Sequence, residues 1–137
     1  MEAYKHKVQY YETDKMGFVH HSNYIRWFEE ARNDFFDSVG APYAKTEEHG
    51  IISPVLSVSC DFKKSSYYGE TVLIYTKLEK YGNVKFFMSY KVMGENGELK
   101  AEGKSEHCFL NGEGRVVSLK HVWPEMHIYL TKISEGE

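Results

Sequence analysis

Tyr10-Tyr11-Glu12-Thr13-Asp14-Lys15-Met16-Gly17-Phe18-Val19-His20-His21-Ser22-Asn23-Tyr24 joins two different periodicities, and the fold follows from what lies on either side of it. Before and into it, Ala3 to Tyr11 alternates roughly in period two, with Tyr4, His6, Val8 and Tyr10 on one face, which is the pattern of a strand. After it, Tyr24, Phe28, Ala31 and Phe35 recur at three- and four-residue steps, widened by Trp27, Phe36 and Val39, which is the pattern of a long amphipathic helix. Ser22 or Asn23 is suited to cap that helix. The turn between carries Asp14, Gly17, His20 and His21. A carboxylate held beside a helix N-terminus sits where backbone N–H groups and the helix dipole also stabilise an oxyanion, so the junction suits acyl-transfer chemistry.

Outward from the helix, Gly40 is a stop signal and Pro42 opens a short second helix running toward His49. Beyond Gly50 the character changes to strand: Ile51 to Phe62, Glu70 to Leu78, Val84 to Met93 and Leu99 to Leu110 are rich in β-branched and aromatic residues. Tyr81-Gly82-Asn83 and Gly94-Glu95-Asn96-Gly97 are short enough for antiparallel hairpins. Asn111-Gly112-Glu113-Gly114 is a further turn that leads into Arg115 to Leu119. Pro124 opens a last short helix through Met126 and Tyr129, and 134–137 is expected to fray. Strand, long helix, short helix and antiparallel meander predict an α+β fold within a single domain spanning 1–137, in which sheet and helix bury each other's apolar side.

The composition excludes several classes. A formal net charge of -3 gives no basic surface for a phosphate backbone, so no nucleic-acid partner is expected. No apolar run approaches membrane-spanning length and the N-terminus shows no leader, so the chain is expected to be soluble and cytoplasmic. Aromatic residues reach 15%, with 11 Tyr and 8 Phe, which favours sheet and a broad packing surface. Cys60 and Cys108 have neither CxxC nor Cys/His spacing and read as buried reduced thiols, while His20-His21 lacks a third ligand for a metal.

The stretch Tyr10 to Tyr24, followed by a helix carrying Glu29-Glu30-Ala31-Arg32, resembles the signature of the hotdog-fold 4-hydroxybenzoyl-CoA thioesterase family, and within it the Tol-Pal-associated acyl-CoA thioesterase branch. Gly50-Ile51-Ile52-Ser53-Pro54-Val55 and Cys60-Asp61-Phe62-Lys63-Lys64 sit where that family has its second strand. The resemblance implies a curved antiparallel sheet of about five strands wrapped around the long helix. It also implies homodimers joined edge to edge, assembled further as a homotetramer, with active sites at the subunit interface. By the same resemblance Asp14 matches the catalytic aspartate, Tyr10 and His21 match the tyrosine and histidine that accompany it, and Ser53 falls where the benzoyl-CoA enzymes have a threonine in the site. The chain departs from the family in having Glu12-Thr13-Asp14 where close relatives have Asp-Thr-Asp, and in lacking paired arginines around Asn83 to Lys85.

The chemistry is consistent with these residues. A thioester has an electrophilic carbonyl and a leaving thiol with a pKa near ~8.5, so a lone carboxylate suffices without metal or redox cofactor, and coenzyme A is part of the substrate. Asp14 either attacks the carbonyl to give a mixed anhydride or deprotonates the attacking water. The oxyanion would be held by N–H groups near Gly17 to His21, each worth roughly 3 to 4 kcal/mol, and Gly17 permits close backbone approach. Lys63, Lys64 and Lys85 are candidate point charges for the CoA phosphates, set against an equal claim as ordinary surface lysines. Glu29 reads as a solvated or supporting carboxylate, and the aromatic stripe as core that also borders an acyl pocket. Two other readings keep the fold: an acyl-carrier-protein thioesterase docking on Lys63 and Lys64, and a non-catalytic acyl-ligand binding module.

Overall fold

The computed structural model describes residues 3–136. The expected element order is present with shifted boundaries: β1 Tyr4–Lys7, α1 Ser22–Ser38, α2 Tyr43–Glu48, β2 Val55–Phe62, β3 Thr71–Tyr81, β4 Lys85–Gly94, β5 Leu99–Cys108, α3 Leu119–Val122 and α4 Pro124–Ser134. The strands form one five-stranded antiparallel sheet in the order β1-β3-β4-β5-β2. Only β3, β4 and β5 form the meander. β2 crosses to the far edge and pairs with β5, a long-range choice that turn signals do not report.

Alternation explains the register. Phe86, Met88, Tyr90 and Val92 of β4 are buried opposite His107, Ser105, Gly103 and Ala101 of β5, so these residues share the inner face. α1 lays Tyr24, Trp27, Phe28, Ala31 and Phe35 into the core. The Phe28 ring stacks on Tyr90 at 4.4 Å and lies directly over Gly103, where an added Cβ would come within 2.4 Å of Phe28 Cε2. The helix therefore approaches the sheet through a side-chain gap on β5.

Two expectations, the end of β1 and the length of the C-terminal helix, are corrected. β1 ends at Lys7, because Tyr10–Glu12 coil into a 3-10 turn. Beyond the Asn111 turn, Val116 makes an isolated bridge with Leu110. The C-terminal helix is longer than Tyr129, running to Ser134 after α3, and it buries Met126 and Leu130. Of the stretch expected to fray, Ser134 is helical and Glu137 lies outside the described residues. Cys108 is a buried free thiol and Cys60 a half-buried one, whose burial, with the Asp61 carboxylate beside it, pushes the thiol up to about 11.

Candidate active site

The Asp14 turn is a small hairpin set between β1 and α1. Asp14 N–H donates to Phe18 O at 2.8 Å, Gly17 N–H to Asp14 O at 3.1 Å, and Thr13 bridges Val19. Gly17 sits at φ 89°, a conformation that disfavours side chains. Asp14 is half-buried; its Oδ1 accepts Met16 N–H at 2.8 Å, while Oδ2 takes part in no hydrogen bond among the described residues. One oxygen thus orients the carboxylate and the other is available. The N–H groups of Gly17, Val19 and His20 are engaged by Asp14 O, Ser66 O and Glu12 O, whereas those of Phe18 and His21 take part in none of these bonds. The expected oxyanion donors narrow to these two.

The helix start differs from the expected cap. His21, not Ser22 or Asn23, stands at the N-cap position and makes no capping bond with its side chain. His20 supplies the cap, its Nδ1 accepting Ser22 N–H at 3.2 Å. His21 is exposed and stacks on His20 with ring centroids 4.2 Å apart. Tyr10 is 76% exposed and packs edge-on against Tyr68 at 5.7 Å. Among the described residues, no hydrogen bond joins Tyr10, Asp14 and His21. The 3-10 turn is the physical reason, since it carries Tyr10 off the strand face on which it was expected to support Asp14.

Glu12, noted in the sequence only as a lengthened acid, is the buried anchor of this turn at 4% exposure. Oε1 lies 2.8 Å from His6 Nε2 and accepts Gln9 N–H at 2.8 Å, and Oε2 accepts Trp27 Nε1–H at 2.8 Å. Burial pushes the carboxyl up, but the Gln9, His6 and Trp27 donors outweigh it and hold it below the usual range. No local pattern marks this residue, because its partners lie on β1 and α1.

A cavity of about 430 Å³ lies along the C-terminal half of α1, bordered by Glu29, Arg32 and Phe36, by Ser53, and by Phe86 and Trp123. Ser53 Oγ donates to Cys108 O at 3.1 Å. Tyr10, Asp14 and His21 do not line it. Ser22 and Arg32 are ten residues apart on α1, roughly 15 Å at the helical rise, so one chain keeps the Asp14 turn and the cavity apart.

A family model described as the Thioesterase-like superfamily matches residues 8–130. The chain belongs to that superfamily. The solved structure of a DHNA-CoA thioesterase from Staphylococcus aureus is 35% identical with a TM-score of 0.93, the match covering 99% of this chain and 95% of that one. A structure of a hypothetical protein from Aquifex aeolicus is 36% identical with a TM-score of 0.84, covering 93% of this chain and 96% of that one. A Bacillus subtilis protein provisionally named acyl-CoA thioesterase YneP is 33% identical over 88% of both chains. The thioesterase has the hotdog fold, and as a member of this family it is a thioester hydrolase.

The expected phosphate contacts of this thioesterase are unequal. Lys64 Nζ lies 2.9 Å from Glu98 Oε1 and is therefore already paired, while exposed Lys63 makes no ion pair among the described residues. Lys85 is paired with Glu106 at 3.3 Å. No helix of the described residues is long and apolar enough to cross a membrane.

Behind the cavity wall, Arg32 Nη1 donates to Tyr90 OH at 3.1 Å, Tyr90 OH meets Ser105 Oγ at 2.6 Å, and Ser105 Oγ meets His107 Nε2 at 2.7 Å. His107 is fully buried; desolvation first, then the Arg32 charge, lower its pKa to about 4 against a smaller opposing pull from the Pro54 backbone. The folded pKa is depressed, so the stability owed to neutral His107 is complete above the unfolded value of about 6.5 and is lost as pH falls toward about 4. Between pH 7 and pH 5 this loss amounts to about 2 kcal/mol. Urea unfolding across that range is expected to show the slope in the wild type and to lose it in His107→Gln; an equal slope in both assigns the acid sensitivity elsewhere.

Proposed function

We propose that this thioesterase hydrolyses an acyl-CoA to a carboxylic acid and free CoA, with Asp14 as the reacting carboxylate. The observation that carries the reading is the Asp14 carboxylate, tied through one oxygen to Met16 N–H and open at the other, immediately before α1. In one route Asp14 attacks the carbonyl carbon, CoA leaves as thiolate, and water cleaves the mixed anhydride. In the other Asp14 takes the proton of the attacking water, and the thiolate leaves as the tetrahedral species collapses. Both require the ionised carboxylate, and both place the carbonyl oxygen against the free N–H groups of Phe18 and His21. The names of the relatives, DHNA-CoA thioesterase and acyl-CoA thioesterase, favour CoA as the carrier. The pairing of Lys64 with Glu98 engages one of the two lysines on which an acidic carrier protein would dock. Thiol release from acyl-CoAs and from matched acyl-carrier-protein thioesters tests this, with faster turnover of acyl-CoA expected; a preference for the protein-borne thioester overturns it.

The reacting unit in this proposal is a homodimer, assembled further as a homotetramer, in which the Asp14 turn of one copy meets the Ser53-lined cavity of another. Two features support it: the separation of turn and cavity in a single chain, and the exposed edge strand β2, whose Val55, Leu56, Val58 and Phe62 are all accessible. Placing a charge there by Val58→Lys is expected to reduce the mass seen by light scattering and to lower activity at least about tenfold, since like charges meet across a two-fold contact. A wild-type monomer at micromolar concentration, or full activity in a monomeric Val58→Lys, overturns it.

A further inference from the structure

We infer that Glu12 and His6 are positioning residues, which set the rate of the Asp14 chemistry by fixing both ends of the reactive turn at once. The inference rests on the thioesterase reading for its kinetic test but not for its structural one. Glu12 grips with two different groups. Its side chain ties the turn to β1 through His6 and to α1 through Trp27, while its backbone carbonyl accepts His20 N–H at 2.8 Å and Asn23 Nδ2–H at 2.9 Å on the far side of the turn. The residue preceding the turn and the residue following it are thereby bonded to each other, and Asp14 is carried on the loop between them. Asp14 N–H to Phe18 O is the next rung inside this clamp.

The clamp requires a carboxylate. An ionised carboxylate only accepts, and here it faces a backbone N–H, an indole N–H and an imidazole nitrogen. An amide at the same place accepts at one atom only and turns N–H groups against one of those donors. His6 completes the frame. Its Nε2 meets Glu12 and its Nδ1 lies 3.4 Å from Glu30 Oε1, which also accepts Tyr4 OH at 2.7 Å, while its ring packs at a tilt of 38° against Trp27 with centroids 4.9 Å apart. β1, the turn and α1 are thus joined at one point, in a line from Glu12 through His6 to Glu30. A general base or nucleophile misplaced by about 1 Å loses on the order of a hundredfold in rate, so such a frame acts on kcat more than on binding.

A merely structural role is separated by a control of matched stability. Glu12→Gln is expected to lower kcat tenfold to a hundredfold with KM changed less than threefold, whereas Leu78→Ala, a core change at the end of β3 beyond its pairing with β1, lowers the melting temperature without that loss of kcat. His6→Phe is expected to lower kcat likewise, and His6→Gln, which keeps an N–H for Glu12, to recover most of it. This second pair carries the test if Glu12→Gln does not fold. Amide hydrogen exchange supplies a readout independent of any substrate: the His20 and Asp14 amides are expected to exchange at least tenfold faster in the Glu12 and His6→Phe variants than in Leu78→Ala. Equal kcat in Glu12→Gln and Leu78→Ala, or unchanged protection of the His20 amide, overturns the inference. Absence of thiol release by the wild type sinks the thioesterase reading alone, and the exchange experiment then decides the clamp.

Discussion

Asp14→Asn is expected to lower kcat/KM for acyl-CoA thiol release at least about a thousandfold, equivalent to roughly 4 kcal/mol of transition-state stabilisation. The substitution separates charge from shape. The Asn carbonyl oxygen can still accept Met16 N–H, the bond now made by Oδ1 at 2.8 Å, so the turn and its Gly17 conformation are retained. A neutral amide cannot form a mixed anhydride and is too weak a base to activate water, so both routes fail together. The melting temperature should move little, because the Asp14 side chain is half-buried and makes that one bond to the backbone. KM should also hold, since the proposed role puts the aspartate at the reacting carbonyl and not at the CoA moiety. A variant that binds acyl-CoA tightly but releases no thiol identifies the carboxylate as the reacting group. Equal activity in Asp14→Asn and wild type would remove Asp14 from that role.

Features specified within about ten residues were legible in the sequence. The aromatic stripe from Tyr24 to Phe35 placed α1, because a three- and four-residue repeat has one structural meaning at that length. The hairpins at Gly82-Asn83 and Gly94 to Gly97 were marked by residues that accept left-handed backbone, and Asn83 and Gly97 do adopt φ 72° and 86°. The strand boundary at Lys7 was not legible, since Val8 and Tyr10 continue the alternation that the 3-10 turn breaks. The position of β2 at the sheet edge depends on pairing Val55–Phe62 with residues 39 to 52 positions away. Within the candidate site, Asp14 and Gly17 carried local turn chemistry and were visible. Glu12 was hidden for the opposite reason: its burial is set by Trp27 and His6, and an acid in a polar stretch looks solvated until those donors surround it. The cavity was invisible apart from Ser53, because α3 and α4 close it from the far end of the chain.

The largest stability loss is expected at Gly103. An alanine Cβ there would stand 2.4 Å from Phe28 Cε2 and 2.6 Å from the Ser59 carbonyl oxygen, both far inside contact distance. Phe28 cannot swing aside freely, since its ring is 1% exposed and stacked on Tyr90 at an interplanar angle of 9°. The Ser59 oxygen belongs to β2, so relief on that side means moving the edge strand away from β5, where Cys60 and Gly103 are paired. Overpacking of this kind costs about 1 to 3 kcal/mol where side chains can yield, and a backbone contact places Gly103→Ala at or above the upper end. For a domain of this size that is a fall in melting temperature of about 10 °C or more. The two clashes are separable. In a Phe28→Leu background the ring tip is gone and the backbone contact remains, so adding Gly103→Ala should cost less than in the wild type by about 1 kcal/mol or more, without becoming neutral. Chemical denaturation of the four proteins in this cycle measures the difference. Additive losses would mean that Phe28 does not lie on Gly103, and a melting temperature unchanged in Gly103→Ala would contradict the packing of α1 on the sheet.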